Sequence, residues 1–124
     1  MRYLGIDVSK AKLDCMLFDP ESGKRRKKSV PNSSEGMAQL LRSLAQWAVP
    51  AQQVHVAIEP AASYHELVAA ALHDAGCKVL PVNPLRVRRC AQAIGSLNKS
   101  DDLDADLLAR HAAQQQPPLW APPP

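Results

Sequence analysis

The sequence predicts a mixed α/β domain, a five-stranded sheet with helices packed against it. Three observations carry that prediction. Five short segments alternate apolar and polar residues, the period of half-buried strands. Three of them come first, in meander order, and helical and strand patterns then alternate, which favours one sheet with crossover helices. The 124 residues, 46% hydrophobic and 22% charged, also have the size and composition of one globular domain rather than a disordered chain.

The first strand is read at Tyr3-Leu4-Gly5-Ile6-Asp7-Val8, with Leu4, Ile6 and Val8 on one face and Tyr3, Gly5 and Asp7 on the other. Residues 12–18 alternate likewise, Leu13, Cys15 and Leu17 against Asp14, Met16 and Phe18. Asp19-Pro20-Glu21-Ser22-Gly23 is rich in turn formers, and residues 24–30 return as a basic strand placed at the sheet edge, where lysines deter further pairing. Asn32, with Glu35 three residues on, is read as the cap of a helix carrying Met37, Leu40, Leu41 and Leu44 and ending near Val49-Pro50. Residues 53–59 form the fourth strand, Val54, Val56 and Ile58 against His55, Ala57 and Glu59. Ser63-Tyr64-His65-Glu66 reads as a capping box, which assigns Glu66 to the helix start, and Gly76 suits the helix end. A fifth strand covers residues 78–82, and Asn83-Pro84 opens a helix running to about Gly95. Ser100 is read as the cap of a last helix reaching about Gln114, and residues 116–124, with five prolines, as a tail or linker.

No apolar run approaches the ~18–20 residues of a membrane helix, and no basic stretch with an apolar core opens the chain, so a secretory signal is not expected. Cys15, Cys77 and Cys90 form no CxxC pair, which fits reduced thiols in a cytoplasmic protein. The four histidines lack metal spacing, and His65-Glu66 lacks the second histidine of a zinc-protease helix, since position 69 is Ala. With 15 Lys+Arg against 12 Asp+Glu the net charge is only +3, so the clustering of cations says more. Lys24, Arg25, Arg26, Lys27 and Lys28 are contiguous, and Arg86, Arg88 and Arg89 lie together. Both groups read as phosphate contacts, or as solvated edges. Trp47 and Tyr64 read as packing residues.

Four acids are candidates for chemistry. Asp7 lies near the end of the first strand, Glu59 ends the fourth, and Asp101 and Asp104 stand near the start of the last helix. Ligands collect at the carboxyl ends of strands in α/β sheets, so Asp7 and Glu59 meet if those strands are neighbours. At ~100° per residue, Leu103, Ala105, Leu107, Leu108 and Ala112 share a broad face that also holds Asp101 and Asp104, while Asp102, Asp106 and Arg110 lie opposite. Two carboxylates ~4 Å apart repel by ~4 kcal/mol at an effective dielectric of ~20, so such a cluster takes up protons or binds cations. Oxygen ligands favour Mg²⁺ or Mn²⁺, and two such ions form a clamp for phosphoryl chemistry. The competing reading is structural: acids in a first helical turn complement the dipole, and Asp7 and Glu59 serve as turn or strand-end residues.

Gly5-Ile6-Asp7-Val8-Ser9-Lys10, Glu59-Pro60-Ala61-Ala62-Ser63-Tyr64 and Lys99-Ser100-Asp101-Asp102-Leu103-Asp104-Ala105 resemble, in order and spacing, the N-terminal domain of the DEDD transposases of insertion sequence 110 and the related Piv-type DNA invertases. The last motif is the most specific. Ala61-Ala62-Ser63 departs from the family, which often has a glycine before the tyrosine. The resemblance implies a ribonuclease-H-like (RuvC-like) fold with sheet order 3-2-1-4-5 and only the second strand antiparallel. It implies a Mg²⁺ or Mn²⁺ site at Asp7, Glu59, Asp101 and Asp104, DNA strand cleavage and transfer, action within a homo-oligomer, and a structured guide RNA as a further partner. Residues 1–115 would be the RuvC-like domain, and residues 116–124 would begin a linker to a C-terminal domain that supplies a serine nucleophile. The expectation is therefore a catalytic-acid half that is inactive alone. The alternatives are a non-catalytic nucleic-acid-binding module and, less well supported, an actin-like ATPase fragment. The latter needs a phosphate-loop glycine soon after Asp7, and none follows until Gly23.

Overall fold

A computed structural model describes residues 1–59, 64–93, 95 and 104–115 of the chain. The strands are β1 (Arg2–Val8), β2 (Lys12–Phe18), β3 (Arg25–Pro31), β4 (Val54–Ile58) and β5 (Lys78–Pro81). The helices are α1 (Ser34–Gln46), α2 (Glu66–Asp74), α3 (Pro84–Ala93) and α4 (Ala105–Gln115), with a 3₁₀ turn at Ala51–Gln53 leading into β4. The sheet runs β3-β2-β1-β4-β5. β2 pairs antiparallel with β1 and β3, whereas β4 is parallel to β1 and β5, so β2 alone runs against the rest. The basic strand is at the edge, as its lysines predict.

Alternation sorts the sheet onto two unlike faces. Leu4, Ile6, Leu13, Leu17, Val54, Val56, Ile58 and Val79 meet Met37, Leu40 and Leu44 of α1 and Val68 and Leu72 of α2 in one aliphatic core. Leu4, Ile6, Val54 and Val56 are fully buried there, each contributing ~1.5–3 kcal/mol. The opposite face carries Tyr3, Ala57 and Leu80 against Val87 and Ala91 of α3 and Leu107, Leu108, Ala109 and Ala112 of α4.

On that second face α4 lies very close to β1. A Cβ added to Gly5 would come within 1.9 Å of the Ala105 carbonyl oxygen and 2.6 Å of the Ala109 nitrogen. Only a residue without a side chain fits, and Ala57 on the neighbouring strand keeps the same space shallow.

The helix starts differ in part from the sequence reading. Ser33, not Asn32, caps α1, its hydroxyl accepting from the Gly36 N–H at 3.1 Å. Asn32 instead donates through Nδ2 to the carbonyls of Ser9 and Tyr64, each at 2.9 Å. Glu66 is the first residue of α2 behind His65, which makes no side-chain cap bond, so Glu66 does not hold the third helical position a capping box requires. Ser63 lies outside the described residues. Asn83 behaves as expected, its Oδ1 accepting from the N–H groups of Leu85 and Arg86 at 2.9 and 3.3 Å. α4 starts at Ala105 with Asp104 ahead of it, while Ser100 lies outside the described residues. Tyr64 is 41% exposed rather than packed, whereas Trp47 packs on the aliphatic core beneath Arg26. The three cysteines are free, and burial pushes the Cys15 and Cys77 thiols up to about 12 and about 11.

Two expectations follow from this packing. Gly5→Ala forces α4 off the sheet and costs about 3 kcal/mol or more in urea unfolding; a loss under ~1 kcal/mol would show that α4 does not seat on β1 there. His55, edge-on to Tyr3 at 5.3 Å, and buried His111 are both held below the ordinary histidine range, chiefly by burial. The unfolded chain therefore binds more protons below about pH 6.5, and stability falls as pH drops through that region. Thermal unfolding from pH 7 to pH 5 checks this, the fall in Tm being smaller in His55→Phe.

Candidate functional site

Parallel pairing of β1 with β4 brings two of the candidate acids together. Ile6 is level with Ile58, so the next residues, Asp7 and Glu59, are adjacent at the carboxyl ends of neighbouring strands. Both lie on the α4 face, because they share parity with Gly5 and Ala57. Burial and the Asp7 carboxylate push the Glu59 carboxyl above its ordinary range, and the Arg88 guanidinium partly offsets them. Arg88 of α3 thus lies near enough to Glu59 to act on it, while Arg86 and Arg89 are exposed.

Asp104 reaches the same region by another route. It does not project from a helical face, as the wheel predicts, but is the exposed residue preceding α4. Its Oδ1 accepts from the Leu107 N–H at 2.8 Å, an N-cap that satisfies one orphan donor of the helix. Since α4 sits on β1 at Gly5, this cap borders a cleft of about 390 Å³ shared with Asp7. Asp101, the fourth candidate, lies outside the described residues. Among the described residues no group of three or more His, Cys, Asp or Glu is placed to hold a metal ion.

The cleft also holds two acids that the sequence reading left aside. Asp14 stands opposite Asp7 across the β1–β2 ladder, accepts a short hydrogen bond from the Ser29 hydroxyl and lies 3.7 Å from the Lys12 ammonium. The helical wheel puts Asp106 opposite the apolar face, but it lines the cleft and is only 26% exposed. Arg25 of β3 and Arg110 one turn further along α4 each approach it at 3.1 Å. The alternation of β2 is the sequence signal for Asp14, since it puts this acid on the face of Asp7. No comparable signal exists for Asp106, whose partner Arg25 comes from a distant strand.

The basic run divides. Lys24 precedes β3, Arg25 is engaged by Asp106 and by the Phe18 ring, and Arg26 lies over Trp47 on the α1 side. Lys27 and Lys28 are exposed, and among the described residues neither forms an ion pair.

No helix of the described residues is long and apolar enough to cross a membrane. The fold is shared with Thermus thermophilus RuvC. Its structure with a Holliday junction substrate matches with a TM-score of 0.61 over 97% of this chain and 99% of that one, at 17% identity. A second structure of that RuvC matches with a TM-score of 0.59 over 91% and 93% of the two chains, also at 17% identity. The sheet is thus ribonuclease-H-like. In sequence, the pilin gene-inverting proteins of Moraxella lacunata and Moraxella bovis are each 31% identical over 120 residues, 97% of this chain. The chain spans 37% of the length of those relatives. A sequence model described as transposase, the DEDD type of insertion sequence 110, matches residues 4–122, so the chain belongs to the DEDD transposase family of insertion sequence 110.

Proposed function

We propose that this chain is the acid-bearing domain of a DNA recombinase, in which Asp7, Glu59, Asp101 and Asp104 bind Mg²⁺ or Mn²⁺ for DNA strand cleavage and transfer. The observation that carries the reading is the meeting of Asp7 and Glu59 at adjacent strand ends, where burial and the Asp7 carboxylate raise the cost of ionising Glu59. A hard divalent cation relieves that repulsion and would supply charge neutralisation at a scissile phosphate. Asp7 anchors the site from the rigid end of β1, and Glu59 faces it from β4. Asp104 commits Oδ1 to its helix, which leaves Oδ2 as the atom for a metal. Family membership supports DNA recombination as the setting.

The rest of the reading follows the family resemblance. A serine nucleophile comes from a C-terminal domain, and the chain works in a homo-oligomer in the cytoplasm. DNA is the substrate, and a structured guide RNA is the second partner. Exposed Arg86 and Arg89, with the exposed lysines of β3, hold phosphates. The alternative is a nucleic-acid-binding module without catalysis, which keeps the exposed basic residues of β3 and α3 and dispenses with the metal.

Calorimetric titration separates the two readings. Mg²⁺ and Mn²⁺ bind the wild-type chain, and binding is lost in Asp7→Asn; a chain that binds neither ion at millimolar concentration, while still binding DNA in the presence of a chelator, would favour the module. Metal-free Glu59→Gln melts above the wild type at pH 7, because it removes a carboxylate whose ionised form the fold disfavours. For DNA, log–log salt plots of affinity in Arg86→Ala and Arg89→Ala each lose about 1 from the wild-type slope, the mark of one phosphate contact.

A further inference from the structure

Resting on the acid-site reading above, we infer that Lys27 is the member of the basic run that contacts a nucleic-acid phosphate inside the acidic cleft, while Arg26 and Lys28 serve a separate stretch of nucleic acid on the opposite face of the sheet. Contiguous in sequence, these cations cannot share one surface in a strand, because successive side chains point to opposite faces.

The register fixes which residue goes where. Val30 belongs to the aliphatic core on the α1 side, and Arg26 stacks over Trp47 on that side. Lys28 has their parity and pairs with Cys15, which is buried in the same core. Lys27 has the parity of Arg25 and Ser29. Arg25 reaches Asp106 of α4 and the Phe18 ring, and Ser29 bonds Asp14, so this is the cleft face. Lys28 and Cys15 also border the cleft, although their parity directs their side chains to the other face of the sheet.

Lys27 is suited to a ligand in a way the neighbouring cations are not. Arg25 and Arg110 are committed to Asp106, and Lys12 lies beside Asp14. Lys27 is exposed, lines the cleft with Asp7 and Asp104, and has no ion-pair partner among the described residues. Asp14 and Asp106 have cations beside them, but Asp7 and Asp104 add further negative charge to the cleft, so a phosphate is repelled from it until a divalent cation offsets that charge. The Lys27 contact is therefore coupled to metal. Contacts by Arg26 and Lys28, beyond the sheet, are not.

The test is fluorescence anisotropy of a labelled DNA duplex at constant ionic strength, with Mg²⁺ and with EDTA. The wild-type chain gains affinity with metal. Lys27→Ala loses about tenfold of that gain, the scale of one charge-assisted contact, and leaves binding in EDTA nearly unchanged. Lys27→Arg retains the gain. Lys28→Ala, an identical change of charge one residue away, weakens binding equally with and without metal. A gain that survives Lys27→Ala, or that Lys28→Ala removes equally, overturns the assignment. A wild-type chain that binds Mg²⁺ by calorimetry yet shows no gain overturns the assignment alone, whereas one that binds no Mg²⁺ and shows no gain overturns the acid-site reading with it.

Discussion

The close seat of α4 on β1 at Gly5 is the contact on which the candidate site depends. The aliphatic side of the sheet, with its large buried residues, supplies most of the apolar burial, but it tolerates the ordinary spacing of a helix on a sheet. The other side uses Gly5 and Ala57 beneath Ala105, Ala109 and Ala112. These small residues bury less area, and what they provide is proximity. Because the α4 backbone lies directly on the strand, the residue that caps the helix is brought beside the cleft at the end of β1. A bulkier interface would hold the same fold together while separating Asp104 from Asp7.

The acids around that cleft fall into two groups. Asp106 has two arginines at 3.1 Å, and Asp14 has a hydroxyl and a lysine, so their charges are compensated within the chain. Glu59 is different: its strongest neighbours are low-polarity surroundings and another carboxylate, and Arg88 offsets them only in part. A fold optimised for stability alone would not place two acids at adjacent strand ends in a partly buried position. That arrangement is what supports the proposed cation site, whereas compensated acids such as Asp106 hold the walls in place.

Much of this was legible in the sequence because strand alternation is a local property. The two faces of β1, β2 and β4, the basic edge strand and the Asn83 cap all follow from patterns a few residues long. Sheet order did not follow from the residues alone; it came with the family resemblance, which put the first and fourth strands side by side and hence Asp7 next to Glu59. Cap assignment failed where two candidates adjoin. Asn32 and Ser33 both suit a cap, and the choice was made by Ser9 and Tyr64, whose carbonyls hold the Asn32 amide from loops distant in sequence. The wheel applied to the last helix failed because it assumed a start at Ser100. With α4 starting at Ala105, Asp104 leaves the helical face and Asp106 moves onto the cleft wall, where Arg25 from β3 meets it.

Asp104 shows why a short acid suits this point in the chain. An N-cap needs a side-chain oxygen on Cβ or on the next carbon, within reach of the N–H two or three residues on, and the Leu107 bond meets that need with Oδ1. A metal ligand needs a further oxygen carrying negative charge, and a carboxylate has one after the cap is made. Asparagine would meet the first demand but bring no charge to the second. Serine or threonine would cap with their only side-chain oxygen, and glutamate, one carbon longer, is a poor cap. Aspartate alone among these combines both, so a single residue ties the start of α4 to the electrostatics of the cleft. The cap also stiffens the carboxylate: with Oδ1 held by the helix, Oδ2 has one direction rather than a range of rotamers, so in the proposed metal site the entropy of ordering this ligand would already be met by folding.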